Sequence, residues 1–190
     1  MIFPWPSGRT LVLIPGGLGG WLVLSGCGEG WLGDNQGRID PSSLPAGPSP
    51  CRDPIEVQVI QGKDGDTFEV EDAFGAEFIV RMIGVDSPEK GSEVAATECW
   101  GLEAAEYTTD LLLGEKVWVT FDAECTDLYG RSLGYVHSGP AGKAFFNEQL
   151  LRDGFAGVMP IPPNNSFSER FFEVQVASRE TAAGMWGACL

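Results

Sequence analysis

The fold is decided by residues 55–85, which read IEVQVIQGKDGDTFEVEDAFGAEFIVRMIGV. Apolar and polar residues alternate on both sides of an Asp64-Gly65 turn, and this pattern predicts a β-hairpin. A third strand is predicted over residues 76–85, where apolar residues occupy both faces but Arg81 stands in the middle. The folded region therefore begins with three consecutive strands.

The remainder of this region predicts two more strands and three helices. The strands cover residues 116–122 and 131–137, and the first helix begins near Trp100. A second helix covers residues 145–152, and the third begins at SFSE (166–169), which has the form of a capping box. Five strands and three helices fit an α+β fold, a small Greek-key β-barrel with helices packed on it.

Composition limits the chemistry that the chain can perform. Its 190 residues are enough for one domain with extensions. With 27 acidic and 12 basic residues the net charge is -15, which argues against holding nucleic acid by bulk electrostatics. The single histidine, His137, precedes a Gly-Pro turn, and we expect it at the surface. Catalysis must therefore depend on carboxylates and arginines.

The amino-terminal residues have the pattern of an export signal. An apolar run over residues 10–24 is too short to cross a membrane as a helix. The LSGC sequence at 24–27 resembles the lipobox of bacterial lipoproteins. That resemblance implies cleavage before Cys27, lipidation of its thiol and anchoring to a membrane of the bacterial cell envelope. The alternative is an ordinary secretory signal followed by a chance cysteine.

These patterns divide the chain into three parts. We expect a lipoprotein signal peptide over residues 1–26, followed by the lipidated cysteine and a flexible linker rich in Gly, Pro and Ser over 27–54. The folded domain then covers residues 55–190.

Four cysteines remain if Cys27 carries lipid. An even number suits disulfides in an oxidising compartment and leaves three pairings open. We expect Cys99 to pair with Cys125, because Cys51 and Cys189 would then join the two ends of the folded region. A metal cage is the competing interpretation, although no two cysteines have CxxC spacing.

Four motifs occur in a fixed order along the folded region. They are DGDT (64–67), RMIGVDSPE (81–89), TDLYGR (126–131) and PNN (163–165). Together with the Trp186-Gly187 ending, they resemble the thermonuclease (staphylococcal nuclease) family over roughly residues 55–187. The resemblance implies an OB-fold barrel and calcium-dependent hydrolysis of phosphodiester bonds in DNA or RNA. The sequence indicates no protein partner, and we expect a monomer.

The resemblance also implies a metal site and a base. Asp66 and Asp86, with the backbone carbonyl of Ser87, would bind Ca²⁺, which prefers oxygen ligands. Glu89 would act on the attacking water, either as general base or by orienting it. Each acidic pair taken alone also fits a solvated turn or loop, as is common in an acidic protein.

Two arginines favour the catalytic interpretation. Arg81 would be costly in a strand that is apolar on both faces unless a carboxylate or phosphate pairs with it. By resemblance, Arg81 and Arg131 clamp phosphate oxygens, and a planar guanidinium can bind two such oxygens at once. Tyr129 would hydrogen-bond a phosphate. A structural salt bridge is the alternative for either arginine.

Some residues depart from the family pattern. Leu128 stands where a lysine is common, the loop GSEVAATE (91–98) holds two acids and no base, and MPIP (159–162) replaces a stretch that often contains a tyrosine. These losses affect substrate binding and predict weak affinity. The rival interpretation is a catalytically weak or inactive OB-fold binding module with an acidic surface for a protein or cation partner.

Overall fold

A computed structural model describes residues 39–92 and 95–189. The predicted signal peptide and Cys27 lie outside these residues. Among the helices described, none combines the length and apolarity needed to cross a bilayer.

The described chain contains eight strands. They are β1 (Ile55–Gly62), β2 (Thr67–Asp72), β3 (Glu77–Met82), β4 (Gly84–Asp86), β5 (Lys116–Thr120), β6 (Ser132–Ser138), β7 (Ala144–Phe145) and β8 (Gly157–Met159). The α-helices are α1 (Gly101–Leu112), α2 (Phe146–Arg152), α3 (Ser168–Glu180) and α4 (Met185–Ala188). The three predicted helices are present, and α4 adds one short turn.

Five of the strands close a barrel. Strand β1 pairs antiparallel with β2 and β5, β2 pairs with β3, and β5 pairs with β6. A parallel pairing of β3 with β6 closes the ring. The predicted α+β barrel of five strands is confirmed, and its order is that of an OB-fold.

The barrel interior and the helix faces above it form one hydrophobic core. Its largest fully buried apolar or aromatic side chains are Tyr135, Phe68, Phe121, Phe146, Phe171, Met82, Leu112, Leu150 and Leu151. Strands β4 and β8 form a separate antiparallel pair in which Val85 faces Val158 and Asp86 faces Gly157. This pair joins the chain leaving the barrel after β3 to the segment that precedes α3.

The start of α3 differs from the predicted capping box. Phe167 is the N-cap and makes no side-chain cap hydrogen bond. The Ser166 hydroxyl instead donates to the buried Asp122 carboxylate, which also accepts from the Tyr135 hydroxyl at 2.6 Å. A buried carboxylate needs these donors, so the serine anchors the helix to the barrel.

Part of the predicted linker over 27–54 is packed on the barrel, which corrects the expectation of a flexible segment for residues 39–54. Residues Pro41–Ser43 form a 3₁₀ turn, and Leu44 is buried. The Gly47 N–H donates to the Phe121 carbonyl at 2.9 Å. The domain therefore begins before β1.

His137 is buried rather than exposed at the surface. Its side chain is 1% exposed, and its Nε2 lies 3.0 Å from Thr120 Oγ1 and 3.1 Å from the Pro45 carbonyl oxygen. Burial lowers the pKa of His137 to about 4, although the hydrogen bond with Pro45 opposes this shift. The surface expectation failed because the packed segment that contains Pro45 covers the end of β6.

The disulfides join Cys51 to Cys125 and Cys99 to Cys189, so the expected pairing of Cys99 with Cys125 is wrong. The Cα–Cα distances are 5.7 and 5.9 Å, within the range that a disulfide spans. Both bonds tie a terminal segment to the barrel or its helices.

The neutral state of buried His137 predicts a pH-dependent stability. In the unfolded chain the His137 side chain binds a proton near pH 6.5, whereas in the folded chain it does so only near pH 4. Stability should therefore be lost as the pH falls from 6.5 towards 4. In urea titrations, the stability advantage of wild type over His137→Gln should shrink across this range. The carboxylates are common to both proteins and cancel, so a constant difference would contradict the assignment.

The disulfide pairing predicts both connectivity and stability. Non-reducing peptide mapping should recover peptides that join Cys99 to Cys189. The double variant Cys99→Ala/Cys189→Ala should lose about 4 to 5 kcal/mol in free energy of unfolding, because the disulfide closes a loop with a sequence separation of 90 and the unfolded variant is free of that constraint. Recovery of a peptide that joins Cys99 to Cys125 would contradict the assignment.

Candidate active site

Strand register brings the two predicted arginines to one end of the barrel. In the parallel β3–β6 pair, Val80 lies opposite Ser132. Arg81 follows Val80 and Arg131 precedes Ser132, so these arginines emerge from neighbouring strands. On the other side of β3, Arg81 lies opposite Thr67 of β2, and Asp66 directly precedes that threonine. The distant motifs therefore meet because the barrel closes.

Arg81 binds both of the predicted metal-binding carboxylates. Its Nη1 contacts Asp66 Oδ2 and donates to the Val85 carbonyl at 3.1 Å, and its Nη2 donates to Asp86 Oδ1 at 2.7 Å. The Arg81 side chain is 14% exposed, and these acceptors compensate for the loss of hydration. Burial raises the pKa of Asp86; Arg81 opposes that rise, and the Asp66 carboxylate adds to it.

Asp66 is held from several directions. It is 3% exposed and accepts hydrogen bonds from the Thr67 hydroxyl at 2.9 Å and from the Ser87 backbone N–H at 2.7 Å. Gly65 allows this approach, because a Cβ there would stand 2.7 Å from the Cβ of Ser87. Ser87 was expected to act through its carbonyl, and in the structure its N–H fixes the first aspartate.

Glu89 lies on the exposed side of the same cluster. Partial burial raises its pKa, and the carboxylates of Asp64 and Asp66 raise it further. The backbone N–H of Glu89 donates to Glu98 Oε2 at 3.1 Å, and its carbonyl accepts from the Glu98 N–H at 2.9 Å. Gly101 at the start of α1 leaves room for this carbonyl, since a Cβ there would approach it to 2.1 Å.

Arg131 is oriented by a residue to which the sequence interpretation gave no role. Asp127 Oδ2 accepts from Arg131 Nε at 2.7 Å, while its Oδ1 accepts from the backbone N–H groups of Tyr129 and Arg131 at 2.9 Å. Burial acts to raise the pKa of Asp127, but these hydrogen bonds outweigh it and hold the pKa low. An Asp four residues before an Arg across a glycine turn is the signal that could have identified it.

Five of the seven predicted catalytic, metal-binding and substrate-binding residues line one pocket of about 480 Å³. Its lining includes the predicted residues Arg81, Asp86, Glu89, Tyr129 and Arg131. Asp66 and Ser87 do not line the pocket, because both residues are buried. Asp66 is connected to the pocket through its ion pair with Arg81.

The PNN motif joins two walls of this pocket. Asn164 accepts from the Glu124 backbone N–H at 2.8 Å and donates to the Glu124 carbonyl at 2.9 Å. This two-way bond holds the chain before β6 against the chain after β8. The motif therefore shapes the pocket through backbone hydrogen bonds.

The donor set fits an oxygen-ligated cation. Asp66 and Asp86 lie on the same guanidinium, and the buried Ser87 hydroxyl has no hydrogen-bond partner among the residues described. The Asp66 carboxylate contributes to the raised pKa of Asp86 and of Glu89, and a hard cation would relieve that repulsion. No group of three or more His, Cys, Asp or Glu side chains is placed to hold a metal within the described part of the chain.

Comparison with known proteins agrees with the motifs. A family model described as staphylococcal nuclease homologue matches residues 79–188. A thermonuclease from Staphylococcus hyicus is 36% identical over 129 residues, which cover 68% of this chain and 74% of the relative.

Two further relatives match a similar region. A thermonuclease from Staphylococcus intermedius is 32% identical over 123 residues, covering 65% of this chain and 71% of the relative. Endonuclease YhcR from Bacillus subtilis strain 168 is 28% identical over 131 residues, covering 65% of this chain and 11% of the relative. The family model and the staphylococcal relatives together show that this chain belongs to the thermonuclease family of staphylococcal nuclease homologues.

Proposed function

We propose that this protein is a calcium-dependent nuclease that hydrolyses phosphodiester bonds of DNA or RNA and is anchored by lipid in the bacterial cell envelope. Family membership supports a hydrolase that acts on nucleic acid. The observation that carries the proposal is the convergence of Arg81, Asp86, Glu89 and Arg131 on one pocket. An OB-fold used only for binding has no need of this combination.

The arginines are suited to bind the phosphate. Hydrolysis places negative charge on the non-bridging phosphate oxygens, and preorganised guanidinium groups stabilise that charge. Arg81 has five N–H donors and uses Nη1 and Nη2 in its three contacts with the protein. Arg131 is held through Nε by Asp127, which leaves its two terminal NH₂ groups to donate to a phosphate.

Glu89 is suited to accept a proton from water. Its raised pKa makes the carboxylate a stronger base than an ordinary glutamate. The water oxygen forms a bond to phosphorus and its proton passes to Glu89, while the bond to the ester oxygen on the opposite side breaks. The departing oxygen takes up a proton from solvent, and Glu89 then releases its proton to solvent. The products are a phosphomonoester and a free hydroxyl group.

Asp66, Asp86 and the backbone or hydroxyl oxygen of Ser87 would hold the cation. When bound, Ca²⁺ places positive charge beside the phosphate and stabilises the negative charge that develops on it during hydrolysis. We favour calcium because carboxylates completed by carbonyl and water suit a large, flexible coordination shell.

Export is supported by the sequence pattern around Cys27 and by two disulfides in the folded domain. Disulfides persist in oxidising compartments and are rare in the cytosol. A lipid on Cys27 would place the domain at the membrane surface, joined by the residues that precede the packed segment.

Hydrolysis should require Ca²⁺. The folded protein should cleave single-stranded DNA and RNA when Ca²⁺ is present and stop when a chelator is added, with Mg²⁺ a poor substitute. Release of acid-soluble nucleotides measures the rate. A rate in Mg²⁺ or in chelator that equals the rate in Ca²⁺ would remove the calcium assignment, and a folded protein with no activity under any condition would favour the binding module.

Loss of either arginine should reduce turnover. Arg81→Ala and Arg131→Ala should each lower kcat by on the order of a hundredfold, because a donor to the transition state is lost. Lysine at either position should restore little, since a point charge cannot make a two-pronged contact. Arg152→Ala, which removes a surface ion pair with Glu148, is the matched control.

Thermal melting separates a catalytic loss from a folding defect, because Arg81 also neutralises Asp66 and Asp86. An inactive Arg81→Lys protein with a nearly unchanged melting temperature supports the catalytic role. Full activity in both alanine variants would show that the arginines are structural.

A further inference from the structure

Two hydrogen bonds close the base of the loop that begins at Glu89. The Glu89 N–H donates to Glu98 Oε2 at 3.1 Å, and the Glu98 N–H donates to the Glu89 carbonyl at 2.9 Å. Both bonds use the backbone of Glu89, which is one of the residues that line the pocket. The place of the Glu89 carboxylate therefore depends on how firmly Glu98 is held.

The described part of this loop does little to hold Glu98 in place. Residues 95–99 are exposed, so burial of apolar surface contributes little to their position. The Thr97 hydroxyl donates to the Lys90 carbonyl at 2.7 Å, but that bond joins two parts of the same loop. Segments with few buried contacts open locally at a low cost in free energy. The base of the loop therefore depends on support from outside it.

Helix α1, which follows the loop, gives limited support. The Gly101 N–H donates to the Glu98 carbonyl at 3.0 Å. Trp100 is the N-cap of this helix, but it makes no side-chain cap hydrogen bond. A helix without such a bond has a less stable first turn. The helix alone therefore does not fix the residues that join Glu98 to it.

The disulfide between Cys99 and Cys189 reaches this weakly held point from the other end of the fold. Cys99 directly follows Glu98, and Cys189 is the C-cap of α4. Helix α4 is itself fastened to two other helices. The Met185 N–H donates to the Gly154 carbonyl, just after α2, at 2.9 Å. The guanidinium of an arginine in α3 also lies over the indole ring in α4, 4.0 Å from its centroid. The disulfide therefore ties the base of the loop to the helical layer.

We propose that the Cys99–Cys189 disulfide is a positioning element for Glu89, which holds the base of its loop so that the carboxylate stays in the pocket during hydrolysis. This inference rests on the proposed nuclease function, in which Glu89 accepts a proton from water. It gives the disulfide a part in turnover in addition to its part in stability. The Cys51–Cys125 disulfide joins other segments and serves as a comparison.

The first test asks whether the disulfide acts through Glu89. We would measure kcat and KM on single-stranded DNA in saturating Ca²⁺. Cys99→Ala/Cys189→Ala should lower kcat by about ten- to hundredfold with little change in KM, because a small misplacement of a reacting group is enough for such a loss. The same double substitution in a Glu89→Gln background should lower kcat no further, since groups that act as a unit are not additive.

The second test separates positioning from stabilisation. Three glycines inserted between Ala188 and Cys189 keep the cross-link, and with it most of its stabilising effect, but they slacken its hold on the loop. This variant should lose kcat as the double alanine variant does, and it remains informative if that variant fails to fold. The same insertion after Cys189 leaves the cross-link taut and is the matched control, which should keep the kcat of wild type.

The third test does not depend on activity. In Cys99→Ala/Cys189→Ala, the backbone amides of Glu89 and Glu98 should exchange with deuterium at least about tenfold faster than in wild type, because the base of the loop opens more often. Cys51→Ala/Cys125→Ala removes a cross-link of comparable sequence separation, 74 against 90. The exchange of these two amides should stay at the wild-type rate in that control.

The outcomes distinguish the inference from the proposed function. A folded wild-type protein that cleaves no DNA contradicts the proposed function, and hydrogen exchange then decides the positioning role by itself. Unchanged kcat in the variant with three glycines before Cys189 overturns the inference alone, as does unchanged amide exchange in Cys99→Ala/Cys189→Ala. An equal loss of kcat in the Glu89→Gln background would also overturn it, because the disulfide would then act on stability and not through Glu89.

Discussion

The parallel pairing of β3 with β6 is the constraint on which the site depends. It closes the barrel and places Val80 beside Ser132, so the residues next to them, Arg81 and Arg131, share one end. Parallel neighbours in a sheet need a long connection, and here that connection carries α1 and β5. Glu89 lies in the same connection, which returns it to the pocket that Arg81 and Arg131 also line. A register shift of one residue in this pair would turn the side chains of the shifted strand to its other face and so separate the two arginines.

Arg81 is also the electrostatic centre of the fold at this end. Removing a guanidinium from water is costly, and Asp66, Asp86 and the Val85 carbonyl compensate for it. Those two carboxylates would in turn repel one another without the arginine. The arginine and the two aspartates therefore depend on one another. The carboxylates allow Arg81 to be buried, and Arg81 allows the carboxylates to lie close together at the site.

Alternation and motif order were sufficient to predict the five barrel strands, the three main helices and the charged residues that line the pocket. They could not predict contacts that depend on three-dimensional proximity. Cys99 is nearer in sequence to Cys125, yet folding places it beside Cys189. The burial of His137 follows from a segment whose composition resembles that of a flexible linker. Ser166 matched a capping pattern, but the buried charge of Asp122 competes for its hydroxyl more strongly than the helix end does. Asp127 lay within a predicted motif, but its role in orienting Arg131 was identified only from the hydrogen bond between the two side chains.

The disulfide between Cys99 and Cys189 has a consequence for the order of assembly. Cys99 follows the residue whose carboxylate accepts from the backbone of Glu89, and its partner lies in the last turn of the described chain. A ribosome completes the barrel strands long before it reaches Cys189. The loop that carries Glu89 is therefore fastened covalently only after the barrel strands and the helices that follow them have been synthesised and have met an oxidant. Under the proposed export, maturation of the enzyme would be separated in time and in space from the nucleic acids of the cell that makes it.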